Sequence, residues 1–244
     1  VSAPSPVATL TEKGNASWRP TPAKASLRTP GRTGQVVTEK LVMDELTGWL
    51  SGARQGPDLT LVTEPDAPDV SDAAVASIDS VLGTFTTKFA CCQPRVTNLK
   101  VMTRTVDGTL IAPGKSFSLN GIVGQRTKAK GYVEAPFILD GELSTDIGGG
   151  VSQFATTTLN AAWFAGLELD RHQPHSFYIS RYPPGREATV NFPGIDLRWT
   201  NNTEWPVLVR DSITDTSLTL ALYGHAARSK ELRVALENRV EEIK

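Results

Sequence analysis

The sequence predicts an α+β protein in two parts: a small amino-terminal α+β unit, then a larger β-rich unit built around a central helix. Three observations carry this. Short β-like runs between residues 85 and 223 are punctuated by turn pairs at Asp107-Gly108, Pro113-Gly114, Asn120-Gly121, Asp140-Gly141, Pro184-Gly185 and Asn201-Asn202. Apolar residues recur at helical spacing over 39–50 and again over 152–164. Between the two parts lies a turn-rich hinge, Pro65-Asp66-Ala67-Pro68-Asp69.

The bulk properties narrow the function classes. A hydrophobic content of 39% with 21% charged residues is that of a folded chain, so neither disorder nor bilayer burial is indicated. At 244 residues the chain exceeds what one core usually serves, which favours two units. A net charge of -1 with dispersed Lys and Arg leaves no basic face for a phosphate backbone, so nucleic acid is not an expected partner. No apolar run approaches the roughly 18 residues that span a bilayer, and the start Val-Ser-Ala-Pro has no Met and no leader pattern. The chain is expected to be trimmed from a longer protein, with any membrane contact made by segments outside it.

Residues 1–20, rich in Pro, Ser, Ala and Thr, read as a linker or the edge of an upstream region. Within the unit 21–68, Trp18 to Leu27 suits short strands, Thr38 can cap a helix from Glu39 to Leu50, and Leu59 to Val62 suits a strand. That helix places Leu41, Val42, Leu46, Trp49 and Leu50 on one face. The second unit, 71–225, opens with Ser71 capping a helix that carries Val75, Ile78 and Leu82 toward Phe85. One helix, Ser152 to Phe164, is expected to interrupt the following strands, with Gly166 ending it. The extension 226–244 fits a strand and helix or a single helix. Adjacent Cys91 and Cys92 cannot staple distant segments and are expected to be small buried thiols; no ligand cluster accompanies them, so no metal and no cofactor is expected.

The chemistry concentrates after residue 147. Gly148, Gly149 and Gly150 permit close backbone approach and can leave N–H groups aimed above the start of the central helix. Ser152 sits in the positive end of that helix dipole, where it is either an N-cap or, given a base, a nucleophile. Gln153, Gly149 and Gly150 are the candidate oxyanion donors. In the segment Arg181, Tyr182, Arg186 and Glu187, arginine suits carboxylate or phosphate recognition and Tyr182 offers a flat face to sugars or peptides. Arg186, placed after Pro183-Pro184-Gly185, ranks above Glu187, which fits a solvated turn with surface ion pairs equally well.

A series of segments in order resembles the VanW domain: Arg95-Val96-Thr97-Asn98-Leu99, Ile111-Ala112-Pro113-Gly114-Lys115-Ser116-Phe117-Ser118, Gly124-Gln125-Arg126-Thr127, Gly148-Gly149-Gly150-Val151-Ser152-Gln153, Arg171-His172 with His175-Ser176, and Gly185-Arg186-Glu187-Ala188-Thr189-Val190. The order of elements around Gly34, Val36 and Pro68 also resembles the peptidoglycan-binding domain that often precedes VanW domains. Many VanW sequences have Cys where this chain has Ser152, a departure that weakens the case for catalysis. The run from a helix opened by that residue to a later His resembles the arrangement in transglutaminase-like and papain-like folds, and implies a centre of Ser152, His175 and Asp196, with His172 the alternative to His175.

The resemblance implies an exported envelope protein, membrane-anchored or secreted, that binds peptidoglycan or a related wall polymer through Gly148, Gly149, Gly150, Gln153, His172, Tyr182 and Arg186. Two other readings stand beside it. One is a wall-peptide hydrolase or transpeptidase using Ser152, His175 and Asp196. The other is a non-catalytic assembly factor that recruits other envelope enzymes.

Overall fold

The computed structural model describes residues 7–10, 20–29, 32–53, 63–139, 142–176 and 178–232. The architecture is mixed α+β with antiparallel sheets throughout. Strand β1 (Val7–Leu10) pairs with β2 (Ala25–Thr29). Strand β3 (Gly34–Val36) pairs with β4 (Glu64–Asp66), and α1 (Glu39–Leu50) lies between them in sequence. As the sequence predicts, Thr38 caps α1, its hydroxyl accepting from the Leu41 N–H at 3.4 Å. The apolar face expected on α1 is only partly used, since Trp49 and Leu50 are exposed. The strand expected at Leu59 to Val62 lies outside the described residues, as do Trp18 and the turn Asp140-Gly141.

Helix α2 (Asp72–Ala76) is capped by Ser71 as expected, but it stops at Ala76 instead of continuing to Leu82. The reason is tertiary: Ser80–Lys88 forms β5, hydrogen-bonded along its length to a distant strand, and that ladder outweighs local helical spacing. Next come α3 (Pro94–Val106), β6 (Leu110–Ile111), β7 (Ser116–Ser118) and α4 (Leu119–Val123). The hairpin β8 (Glu134–Leu139) and β9 (Glu142–Ile147) then leads to α5 (Ser152–Phe164). Strands β10 (Glu168–Arg171), β11 (Arg198–Thr200), β12 (Val207–Ile213) and β13 (Ser217–Gly224) complete the unit, and residues 226–232 are helical.

The expectation of a single helix among these strands is corrected by α3. Its signals were present: Pro94 occupies the first turn, where its missing N–H costs nothing, and buried Leu99, Met102 and Val106 follow at helical spacing. Just before it, Cys91 and Cys92 are exposed, not buried, because they lie in the tight turn between β5 and α3, with Cys92 at φ 68°.

The central sheet has the order β5-β13-β12-β6. Its period-2 alternation divides the core. Leu218, Leu220 and Leu222 of β13, with Val207 and Val209 of β12, join the large cluster that contains α3 and α5 residues. Ala221, Tyr223 and Leu208 point the other way, into a smaller cluster with Val75, Ile78 and Ala25. Both faces of β13 are therefore covered, and each of its leucines contributes ~1.5–3 kcal/mol by burial. Helix α5 lies across β5 and β13, and it comes so close at Gly83 that a methyl there would overlap the Ala161 carbonyl and the Ala165 N–H. A second sheet, β10-β11-β7, carries the cross-strand stack of Phe117 on Trp199, 5.0 Å between ring centroids.

Two positions beyond Val209 on the same face of β12, Asp211 is buried, and neither carboxylate oxygen has a hydrogen-bond partner among the described residues. Desolvation, reinforced by Asp107 and opposed by Arg210, raises its pKa well above the ordinary carboxylate value. The native state thus keeps the proton over a range in which the unfolded chain has released it. The associated stability is present below the ordinary carboxylate pKa and is lost as pH rises through the raised value. Asp211→Asn is expected to melt above the parent at about pH 8, with the gap closing toward about pH 4, in thermal denaturation followed by circular dichroism.

Candidate functional site

Helix α5 is unusual in burying a run of polar side chains: Gln153, Thr156, Thr157, Thr158 and Asn160 are all buried. Each needs a partner, because an unpaired buried polar group costs ~1–3 kcal/mol. Ser152, Thr156 and Asn160, spaced four apart, line one side of the helix. They bond to alternate residues of the extended segment 186–190. The Asn160 amide donates to the Arg186 carbonyl at 2.8 Å, Thr156 donates to the Ala188 carbonyl at 3.0 Å and accepts from the Ala188 N–H at 3.1 Å, and Ser152 accepts from the Val190 N–H at 3.2 Å. The match is geometric. Four helical residues advance about 6.0 Å and two extended residues about 6.6 Å, so one helix face can serve as a strand's neighbour.

The other side of α5 ties to the end of β5. Gln153 Nε2 donates to the Thr87 hydroxyl at 2.8 Å and the Lys88 carbonyl at 3.2 Å, its Oε1 accepts from Arg95, and Thr157 bonds to Thr87 at 2.8 Å. The preceding glycines are crowded by three neighbours. A methyl on Gly148 would meet the stem of Arg126, one on Gly149 the Ala135 carbonyl, and one on Gly150 the stem of Arg95. Asn98, fully buried on α3, locks the turn: it donates to the carbonyls of Val133 and Gly149 at 3.0 Å each and accepts from the Val133 N–H at 2.8 Å.

Two half-buried arginines therefore flank the head of α5. Burial first, then the neighbouring Arg181, pulls the Arg95 guanidinium below its ordinary pKa, with Tyr182 opposing. Burial likewise lowers that of Arg126, against the opposing influence of Tyr132 and Asp196. Tyr182 is buried, stacked on His175 at 6.2 Å, and carries the Arg181 guanidinium 5.1 Å over its ring. Beside the glycine turn, an open hollow of about 500 Å³ is lined by Lys128, Gly131, Tyr132, Val133 and Glu134.

The residues expected to form a relay have separate partners. Ser152 is the first residue of α5, with Val151 at the N-cap position; its hydroxyl bonds to Thr189 Oγ1 at 3.1 Å and to the Val190 N–H. Asp196 is engaged elsewhere: its carboxylate accepts from the Ser118 hydroxyl at 2.6 Å and the Asn120 N–H at 2.8 Å, and Asn120 in turn accepts from Arg126 at 2.6 Å. It anchors the start of α4 and does not orient a histidine. The carboxylate that holds His175 is Glu187, with Oε2 2.9 Å from Nδ1 and both side chains largely buried.

Of the expected oxyanion donors, the Gly149 N–H is spent on the Asp146 carbonyl at 3.1 Å and Gln153 has both ends of its amide occupied, while the Gly150 N–H has no hydrogen-bond partner among the described residues. Of the remaining expected ligand contacts, His172 is exposed, while Arg186 lays its guanidinium over the Phe164 ring at 5.2 Å, toward the far end of α5. Among the described residues no three His, Cys, Asp or Glu side chains gather as a metal site.

Comparison with known proteins bears on this geometry. The family described as VanW like protein matches residues 94–223, from the first residue of α3 to the penultimate residue of β13. The chain belongs to the VanW-like family. The uncharacterized protein YoaR of Bacillus subtilis (strain 168) is 34% identical over 207 residues, 84% of this chain and 68% of the relative. The vancomycin B-type resistance protein VanW of Enterococcus faecalis (strain ATCC 700802 / V583) is 28% identical over 117 residues, 45% of this chain and 42% of the relative. No solved structure matches.

The VanW-like region thus begins with Arg95's helix and includes every partner of α5 named above except β5. Sequence reasoning gave Arg95, Arg181 and Glu187 no place in the expected site, although Arg95 opens the segment Arg95-Val96-Thr97-Asn98-Leu99 and Glu187 lies in the same Gly-Arg-Glu-Ala-Thr-Val segment as Thr189. The ladder on α5 ranks its members by burial. Thr156→Val and Asn160→Leu each strand buried backbone groups of 186–188 and are expected to cost ~2–3 kcal/mol, against ~1 kcal/mol for Ser152→Ala at the half-buried end, by urea denaturation.

Proposed function

We propose that this VanW-like chain is a cell-envelope protein, working outside the cytoplasm, that binds peptidoglycan or a related wall polymer at the head of α5. The observation that carries the reading is the placement of Arg95. Its guanidinium is half-buried against Gly150, held by Gln153, and brought near a second cation, Arg181, beside the ring of Tyr182. A guanidinium partly stripped of water and within reach of a second positive charge suits an anionic ligand group. Wall peptides end in carboxylates, and the hollow beside Gly148 gives an extended polymer further surface, while buried Tyr182 supports Arg181 from beneath and is not itself the flat face the sequence suggested. The vancomycin-resistance name of one relative supports choosing a wall polymer over other anions.

Among the described residues no helix is long and apolar enough to cross a membrane. Tethering to the membrane, where it occurs, falls in this proposal to other segments.

The test is co-sedimentation with purified peptidoglycan at several salt concentrations. Arg95→Ala is expected to weaken binding at least about tenfold, the scale of losing a charge-assisted contact, and to flatten the salt dependence, while Ser152→Ala retains binding. Parent protein that stays in the supernatant at all salt concentrations would remove the polymer-binding reading and favour the assembly-factor reading.

A further inference from the structure

We infer that Ser152, His175 and Glu187 form an acid–base centre, in which His175 takes the proton from the hydroxyl at position 152 and Glu187 is the positioning residue. The inference goes beyond the binding reading and stands on separate observations. Glu187 occupies one edge of the imidazole, Nδ1 to Oε2 at 2.9 Å, with side-chain exposures of only 6% and 13%. The Nε2 edge has no hydrogen-bond partner among the described residues. That is the division of labour a general base requires: one nitrogen held by a carboxylate, the other left for the reacting proton.

The extended segment 186–190 brings this pair to Ser152. Buried Ala188 and Val190 alternate with half-buried Glu187 and Thr189, so the side chains of Glu187 and Thr189 share one side, about 6.6 Å apart along the chain. Glu187 holds His175, and Thr189 bonds to Ser152 Oγ at 3.1 Å. Residues 172–176 run alongside, with the Thr189 N–H donating to the Gln173 carbonyl at 2.8 Å. Glu187, which holds the imidazole, and Thr189, which bonds to the Ser152 hydroxyl, thus stand two residues apart on one side of segment 186–190. The charged and titratable groups around the imidazole are Glu187 and the stacked Tyr182, with Arg181 over Tyr182 and Arg95 beyond.

The reaction class is acyl transfer from an amide. As Ser152 Oγ bonds to the carbonyl carbon, its proton passes to His175 Nε2. Collapse breaks the C–N bond, and the amine leaves with that proton. Water then repeats the sequence through His175, releasing a carboxylic acid and restoring the hydroxyl. The arginines beside the centre favour a peptide amide near a free carboxylate.

The test needs no wall ligand, so its outcome is separate from that of the binding reading. Ser152→Cys is made in a Cys91→Ser/Cys92→Ser background, because those two exposed thiols would otherwise react. Alkylation of the introduced thiol by iodoacetamide is followed against pH by mass spectrometry. Half-maximal rate is expected at least about one unit below the ordinary thiol value near 8.5. Adding His175→Ala, or His175→Gln should the first variant fold poorly, is expected to slow labelling at about pH 6 roughly tenfold, through loss of the thiolate–imidazolium pair. Glu187→Gln is expected to shift the profile the same way and Glu187→Asp to restore it, with Asp196→Asn leaving it in place. A profile unchanged by removal of His175, or moved by Asp196→Asn and not by Glu187→Gln, would overturn the assignment.

Discussion

The structure depends on one constraint: α5 is a buried helix with a polar surface, and every hydroxyl and amide on it must find a partner away from water. The residues 153–162 are all buried, yet half of them carry a hydrogen-bonding side chain. Thr157 and Thr158 meet part of the need by returning to the helix's own carbonyls, at Gln153 and Phe154. The rest is met only by placing β5 on one side and segment 186–190 on the other. A leucine-rich helix would pack in many registers, whereas here one rotation bonds every buried polar side chain and leaves only the Asn160 Oδ1 atom without a partner among the described residues, and a turn of about 100° would leave several more unpaired. The strands are therefore located by the helix as much as by each other.

The same constraint explains why charge collects at the head of α5. Gln153 must satisfy its Oε1, and Arg95 does so from the first turn of α3, while the crowded glycines let the stems of Arg95 and Arg126 lie directly on the turn. Arg126 reaches the Asp196 carboxylate only at second hand, through Asn120, and its Nε and Nη2 have no hydrogen-bond partner among the described residues. Arg95 and Arg181 have no such chain of compensation among the described residues, and their field adds to the positive end of the helix dipole. The site's electrostatics thus follow from how the helix is held, before any ligand is considered.

Local pattern carried much of this into view. The bounds of α1 and α5 and the caps Thr38 and Ser71 follow from spacing and side-chain chemistry within a few residues, and these the sequence makes readable. Helix α2 was extended too far because Val75, Ile78 and Leu82 keep helical spacing across a boundary set by β5's pairing with a strand more than 130 residues away. Asp196 looked like a relay carboxylate because it follows the histidines on a β-like run, yet its partners, Ser118 and Asn120, lie more than 70 residues earlier. Glu187 looked like a solvated turn residue until the chain folded back to set 189 beside 173. What failed in each case was a long-range pairing, which residue type and local period do not encode.

The serine at position 152 gains meaning from this packing. A helix dipole contributes ~0.3–1 kcal/mol, too little to ionise a hydroxyl whose pKa lies far above that of a thiol, so Ser152 alone is not an activated nucleophile. Its hydroxyl is also a good acceptor, and here it satisfies the Val190 N–H at the last rung of the ladder, a task to which a thiol, a weak acceptor, is less suited. Ser152 therefore sits where two demands meet, closing the ladder through its lone pairs and offering one proton to whichever group stands beside it. Thr189 Oγ1 bonds to the same hydroxyl, with either oxygen able to donate, and the Thr189 side chain shares its side of segment 186–190 with Glu187, the partner of His175.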